Sequence, residues 1–405
     1  MTTLALPIAT QEASAEEHPL LFSGVVGFFF IFRICLNFLF FQSDLVVGAA
    51  VSFAIDLALL FCTVLYSTDV RAHTPARLFQ IVPLRWIAAY LALSLASVFW
   101  TGAQSALAAA AYWASMAVDV LIVLLLLRQE DAVRQAEGIL KGVVVGAAGV
   151  SLIAWCSPTT ADLRLGNDLF LHPNSLGLFI GIATLIAQYL ASQSSTWKWL
   201  GIALAITFLR ALSKTAIAAF LVAELWYLMQ NTQMSRKTKA RIVAAALLVI
   251  ACFWGLLRAY ITAYNTTGSG NQVETLTGRT VLWTIAISMS LEKPWLGHGI
   301  YSFKSLVPPL GIFQPVHAHN ELLQQLFEYG VVGVVVAVGI YWSFFRQARR
   351  SQTTGLSALC LTLLIFSLVR GLADTINFGL SFPFWLMAGL SISLARSQPT
   401  EAHAL

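Results

Sequence analysis

The amino-acid sequence predicts an all-α fold, a polytopic integral membrane bundle of about twelve transmembrane helices, and three observations carry that reading. The chain of 405 residues is 58% apolar and only 11% charged. A soluble domain carries roughly 25% charged residues, and the mean hydropathy here is +0.76. Apolar runs near the length needed to cross a bilayer, about 20 residues, recur along the whole chain. Lys and Arg collect in alternate connections between them.

Taken in order, the runs are 21–41, 45–66, 84–100, 106–127, 139–157, 173–191, 197–212, 214–231, 242–261, 322–345, 354–371 and 376–395. In hydrocarbon each must satisfy its own backbone polar groups, which makes each a helix. The seventh and eighth are nearly continuous. Basic residues cluster near 71–85, 128–141, 198, 236–241, 346–350 and 396, while the opposite connections hold Arg164, Arg279, Lys293 and Lys304. By the positive-inside rule both termini are cytoplasmic, and the segment from about 262 to 320 lies outside. In a bacterium this is the inner membrane with a periplasmic segment. That segment is too long for a plain connection. It opens on YNTTGSGNQ, continues as a short helix over TLTGRTVLWTIAISMSLEK, and breaks at PWLGHGIYSF. With no repeat and no second domain, residues 1–405 form one membrane domain.

Composition also excludes. The net charge of +5 is spread over short loops, so no nucleic-acid surface is expected. The five cysteines form no CxxC pair, hence neither a disulfide framework nor a zinc site. Glu12, Glu16 and Glu17, with no basic residue among the first twenty, are the wrong charge for a cleaved signal.

Charges at membrane depth are costly, by about 2.5–3.5 kcal/mol on insertion scales, and usually mark a partner or a site. Arg33 has two candidate partners in mid-span, Asp56 and Asp119. Arg370 and Asp374 are spaced for an i,i+4 ion pair, Arg258 for snorkelling at a helix end, and Glu224 has no partner that the sequence names. Arg210 and Lys214 share a face if one helix runs through both. Like charges there repel unless an anion lies between them, which suggests a site for a phosphorylated lipid.

HAHNELLQQLFEYGVVG, residues 317–333, puts His319, Leu323, Leu326, Gly330 and Gly333 on one helical face. The glycines would admit a second helix. Glu321, Gln325 and Glu328 form a neighbouring polar stripe able to orient an imidazole or receive sugar hydroxyls. A histidine, ordinarily titrating near pH 6.5, suits proton transfer near neutrality.

This stretch resembles the signature of the O-antigen ligase and polymerase family of bacterial membrane glycosyltransferases, through His319, Asn320, Leu323, Leu326, Glu328, Gly330 and Gly333. TGRTVLW (277–283) is similar to the family's Gly-Arg motif, PWLGHGIYSF to its glycine loop, LSKTAIAAF (212–220) to its Ser-Arg helix start, and LHPNSLG (171–177) to its Pro-Asn element. Lys214 stands where Arg is usual, and Lys lacks the bidentate fork that suits a diphosphate. The resemblance implies transfer of a glycan from an undecaprenyl-diphosphate carrier to an acceptor hydroxyl at the periplasmic face, with inversion. His319 would take the acceptor proton, with His317 the second candidate. Arg279, Lys214 and Arg210 would neutralise the leaving diphosphate. Asn320, Glu321, Glu328, His172 and Asn174 would support the site, and His298 is incidental. The outer side shows no Asp-x-Asp or clustered carboxylates, so neither metal nor cofactor is expected. Lipid A–core is the acceptor favoured; a second carrier-linked glycan, which would make the protein a polymerase, and a protein acceptor remain open. A secondary transporter is the alternative from another class, although the related halves usual in such proteins are not visible.

Overall fold

The chain's capping and breaking residues set the helix boundaries of the computed structural model, which describes residues 22–33, 45–68, 78–128, 131–157, 164–166, 171–230, 234–252, 276–310, 314–376 and 379–397, with the single positions 35, 255 and 258. The first twenty residues, the far ends of the first and ninth apolar runs and the YNTTGSGNQ stretch lie outside these. The helices are α1 Phe22–Arg33, α2 Leu45–Thr68, α3 Val82–Ser97 with a 3-10 turn Val98–Trp100, α4 Ala106–Leu127, α5 Ala132–Cys156, α6 Pro173–Leu190 and α7 Ser195–Arg210. They continue as α8 Lys214–Gln230, α9 Arg236–Cys252, α10 Leu276–Glu292, α11 Phe303–Leu306, α12 Glu321–Arg350, α13 Thr354–Gly371 and α14 Phe384–Arg396.

Local chemistry accounts for the ends. Pro83 and Pro173 stand in first turns, where a missing N–H costs nothing. Ser105, Ser194 and Asn320 accept a backbone N–H as N-caps. α5 begins seven residues before the expected 139, over a polar first stretch in which Glu137 pairs with Lys141 at 2.7 Å. α14 begins at Phe384 rather than 376, since Pro383 stands at its N-cap and the preceding residues fold inward, with Ser381 N–H donating to Glu321 Oε2 at 2.7 Å.

Among the described residues seven helices, α2 to α6 with α12 and α13, are long and apolar enough to cross a membrane, and α1 and α14 are shorter apolar helices. α7 and α8 have 16 and 17 residues. A helix of that length rises about 25 Å, short of a hydrocarbon core near 30 Å. Large apolar side chains stand outward on the spans, among them Phe61 (64% exposed), Leu152 (69%) and Trp342 (59%), as expected where lipid is the solvent. α6 is the most enclosed span, packed by α5, α7, α8 and α13. α1 and α5 meet backbone to backbone, since a Cβ on Gly142 would overlap the carbonyl of Gly24.

The charges at depth find partners. Arg33 pairs with both Asp56 and Asp119, donating to the two oxygens of Asp119 at 2.9 and 2.6 Å. Glu224 accepts from Gln188 Nε2 at 3.2 Å.

α12 is broken at Gly330, whose φ of 65° and ψ of −160° are non-helical. The expectation of a helix seam at the glycines is corrected here: the PWLGHG loop fills the kink. Val331 N–H donates to Pro294 O at 2.8 Å, His298 N–H to Phe327 O at 2.9 Å, and Gly299 N–H to Glu328 O at 2.8 Å. A Cβ on Gly330 would overlap the Trp295 backbone. Gly330→Ala is therefore expected to destabilise by at least about 1–3 kcal/mol from backbone strain alone, read as a lower unfolding midpoint in detergent. An unchanged midpoint would mean that the loop does not depend on the kink.

Candidate active site

The run 314–320 is held from three sides. Gln314 Nε2 donates to the carbonyls of Lys304 and Val307, at 2.8 and 3.2 Å. Trp283 Nε1 of α10 donates to Ala318 O at 2.9 Å, and Ala318 N–H donates to Gln324 Oε1 at 2.7 Å. His319 is not on the helix as its spacing suggested. It takes a left-handed φ of 50° before the cap residue Asn320, whose Nδ2 also donates to Leu372 O at 2.9 Å. That conformation is uncommon for a side-chain-bearing residue, and it turns the imidazole toward the end of α13.

There His319 Nδ1 lies 3.1 Å from Asp374 Oδ1. A carboxylate only accepts, so the proton sits on Nδ1 and the Nε2 lone pair is left for a base. Asp374 also accepts from Arg370 Nη2 at 2.9 Å and from Thr375 N–H at 3.0 Å. Burial alone would raise its pKa; the Arg370 guanidinium and the His319 ring outweigh that and hold it well below the usual carboxylate range. His317 packs its ring 4.1 Å from that of His319, and its Nδ1 accepts from His319 N–H at 3.2 Å. Burial, then the adjacent His319 ring, lowers its pKa well below the ordinary histidine value.

The sign of that shift makes a prediction. Protonation of His317 in the unfolded chain begins as pH falls through about 6.5, while the folded protein resists it, because burial, His319, Arg370 and His172 together outweigh the Asp374 carboxylate, which favours the charged ring. Stability is thus whole above that pH and declines below it. The unfolding midpoint should fall between pH 7 and pH 5, and His317→Gln should flatten the slope. An equal slope in the variant would remove His317 from the account.

Other elements converge on the same rim. His172 caps α6, its Nδ1 accepting from Asn174 N–H at 3.3 Å. Asn174 Oδ1 accepts from Arg164 Nη2 at 2.8 Å and Ser213 Oγ at 3.1 Å, and its carbonyl from Arg370 Nη2 at 3.4 Å. Ser213 ties the start of α8 to this network, and exposed Lys214 follows it. Arg210 and Lys214 do not share one helical face: the chain turns at Ala211–Ser213, with Leu212 at φ 51°, so a junction separates them. Arg279 is buried in α10 one turn before Trp283, the residue bonded beside His319.

The polar stripe is corrected as well. Glu321 is buried and accepts from Tyr341 Oη at 2.6 Å and from Ser381 N–H; Gln325 accepts from Tyr90 Oη at 2.9 Å; Glu328 accepts from Gln324 Nε2 at 3.0 Å. All three stabilise the kinked helix inside the bundle, where they meet neither the imidazole nor solvent. Buried His298 packs on Phe327 and bonds Met289 O at 2.9 Å, holding the loop. Arg164 and Asp374 were not foreseen as site residues, and Arg370 was foreseen only as half of an ion pair.

His317, His319 and Asp374 each bring a metal-ligating atom within 4.8 Å of the others. Asp374 Oδ1 faces His319 Nδ1 and Oδ2 accepts from Arg370, so a cation held by Asp374 Oδ1 and His319 Nδ1 would have to replace the hydrogen bond between them. The arrangement suits an oriented imidazole better than a metal centre.

Apolar helices joined at one end by a carboxylate-oriented histidine and several cations define a polytopic helical membrane protein with a polar rim. Residues 199–338 match the model of the O-antigen ligase family. An O-antigen ligase of Pseudomonas aeruginosa is 25% identical over 162 residues, 40% of this chain and 37% of that protein. A Rickettsia conorii protein named as a polysaccharide ligase is 22% identical over 126 residues, 28% and 29% of the two chains. The chain thus matches only 37% and 29% of these relatives' lengths. Together the comparisons support the O-antigen ligase family, as the motifs suggested. The family match includes Arg210, Lys214, Arg279 and His319 and stops short of Arg370 and Asp374.

Proposed function

We propose that the protein is an O-antigen ligase-like glycosyltransferase, moving a glycan from an undecaprenyl-diphosphate carrier to an acceptor hydroxyl at the periplasmic face of the inner membrane, with lipid A–core as acceptor. The single observation that carries this is the His319–Asp374 pair, in which the carboxylate holds Nδ1 and orients the imidazole so that Nε2 is the nitrogen available as the base. In the transfer the acceptor O–H proton passes to Nε2 as its oxygen attacks the anomeric carbon. The bond from that carbon to the diphosphate oxygen breaks with inversion, and the electron pair leaves on the carrier diphosphate. Arg279, Lys214 and Arg210 neutralise the charge that develops there. A bundle with both termini cytoplasmic and the segment from about 262 to 320 at the periplasmic face completes the reading.

The test is reconstitution in proteoliposomes with carrier-linked glycan and lipid A–core. Appearance of glycan on core, with the anomeric configuration inverted, is the expected result. Elongation of the carrier-linked glycan instead would make the protein a polymerase, and release of either substrate across the bilayer unchanged would make it a transporter. Because the cation that faces Asp374 is Arg370, a chelator such as EDTA is expected to leave the rate unchanged; loss of transfer restored by a divalent ion would overturn the metal-free chemistry.

A further inference from the structure

The end of the bundle that bears His319 also holds an open cavity of about 460 Å³ between residues 104–108 on one side and residues 301–309 with Gln314 on the other. We propose that it is a glycan-binding subsite that receives sugar rings of the donor or of the acceptor; this rests on the glycosyl transfer read above. Its chemistry selects for hydroxyls. Gln104, Ser105, Ser305 and Gln314 supply neutral donors and acceptors, Lys304 a single cation, Tyr301 an aromatic wall and residues 306–309 an apolar stretch for the C–H faces of a ring, and among the described residues no carboxylate lines it. An acyl chain would leave these groups unpaired.

The cavity is also built in advance. Gln104 N–H donates to Ser305 Oγ at 3.1 Å, Gly102 N–H to His298 O at 2.8 Å, and Ile300 N–H to Ser97 Oγ at 3.0 Å. Tyr301, at φ 66°, stacks on Tyr112 of α4 with centroids 4.9 Å apart. Gln314 spends its amide N–H groups on the backbone, which turns its carbonyl oxygen to accept, and Ser305 keeps its hydroxyl hydrogen to donate. Rigid walls lower the ordering cost of binding a flexible glycan. Position suits as well: five residues separate Gln314 from His319, a reach of at most about 18 Å even fully extended. A glycan whose reacting end meets His319 can therefore rest its neighbouring rings in the cavity.

The test uses the full-length protein in lipid nanodiscs, with Gln104→Trp, which fills the cavity while keeping the backbone bond, and Lys304→Ala, an exposed change with no fold risk. Carrier-linked glycan and lipid A–core are varied separately. Saturation-transfer NMR follows two probes, the lipid-free donor oligosaccharide and the lipid-free core oligosaccharide. The expected result is a KM raised about tenfold or more for one substrate with kcat held within about twofold, and loss of saturation for the matching probe alone. The substrate affected identifies the source of the sugars. Unchanged KM values and undiminished saturation in both variants would overturn the subsite, as would failure of both probes to bind the wild type. If the wild type transfers no glycan while probe binding is lost in Gln104→Trp, the transfer reading fails and the subsite stands.

Discussion

Replacing His319 by asparagine is expected to reduce glycan transfer by about 10²- to 10⁴-fold, the usual contribution of a positioned general base. Asparagine is the informative change because it tolerates the left-handed backbone that position 319 adopts. Alanine would add backbone strain to the loss of the ring and confuse folding with chemistry. The asparagine amide N–H can still reach Asp374, so the end of α13 keeps its contact. What disappears is the unprotonated Nε2. Binding of the carrier-linked glycan should stay near the wild-type level, because the cations assigned to the diphosphate are other residues. The measurement is a single-turnover transfer assay run beside a carrier-lipid binding assay. Full activity in this variant would remove His319 from the proton transfer; His317 would then be the next residue to replace.

The bundle was readable from the chain because apolar length and charge alternation are local properties. Arg33 with Asp56 and Asp119 was foreseen for the same reason: a charge at depth demands an opposite one, and few were on offer. The motifs singled out His319, Arg279 and Asn174 as candidates. Their assembly was not. Asp374 stands 55 positions after His319 by residue number, and nothing in a local pattern joins them; the signal available was a buried carboxylate at the edge of the membrane with just one cation beside it. The helical reading of His319 failed because an N-cap asparagine follows it, and a residue before the cap lies outside helical geometry. The Glu321, Gln325 and Glu328 stripe misled in a different way. Period alone shows that the three share a face, but whether that face meets solvent or α3 and α13 is a tertiary fact. At Gly330 the sequence permitted a close approach without naming what approaches, and a loop proved to be the partner. The Arg210–Lys214 junction was hidden inside a long apolar run, although Ser213 is the kind of residue that starts a helix.

Asp374→Asn is expected to do two separable kinds of damage. The carboxylate holds the Nδ1–H tautomer of His319 and also neutralises Arg370, which is 1% exposed. Asparagine leaves the guanidinium buried without a counter-charge, and breaking a buried pair from one side costs about 3–5 kcal/mol. The unfolding midpoint should therefore drop. Independently, an amide can offer its N–H to Nδ1, which moves the ring proton to Nε2 and removes the base; in a carboxylate-oriented imidazole such a change lowers kcat by up to about 10⁴-fold. The double variant Arg370→Gln with Asp374→Asn tells the two apart. With the uncompensated charge gone, much of the lost stability should return, while kcat stays low because no carboxylate faces His319. Recovery of activity along with stability would show that Asp374 serves only to keep Arg370 inside the bundle, and the imidazole–carboxylate pair would lose its place in the chemistry.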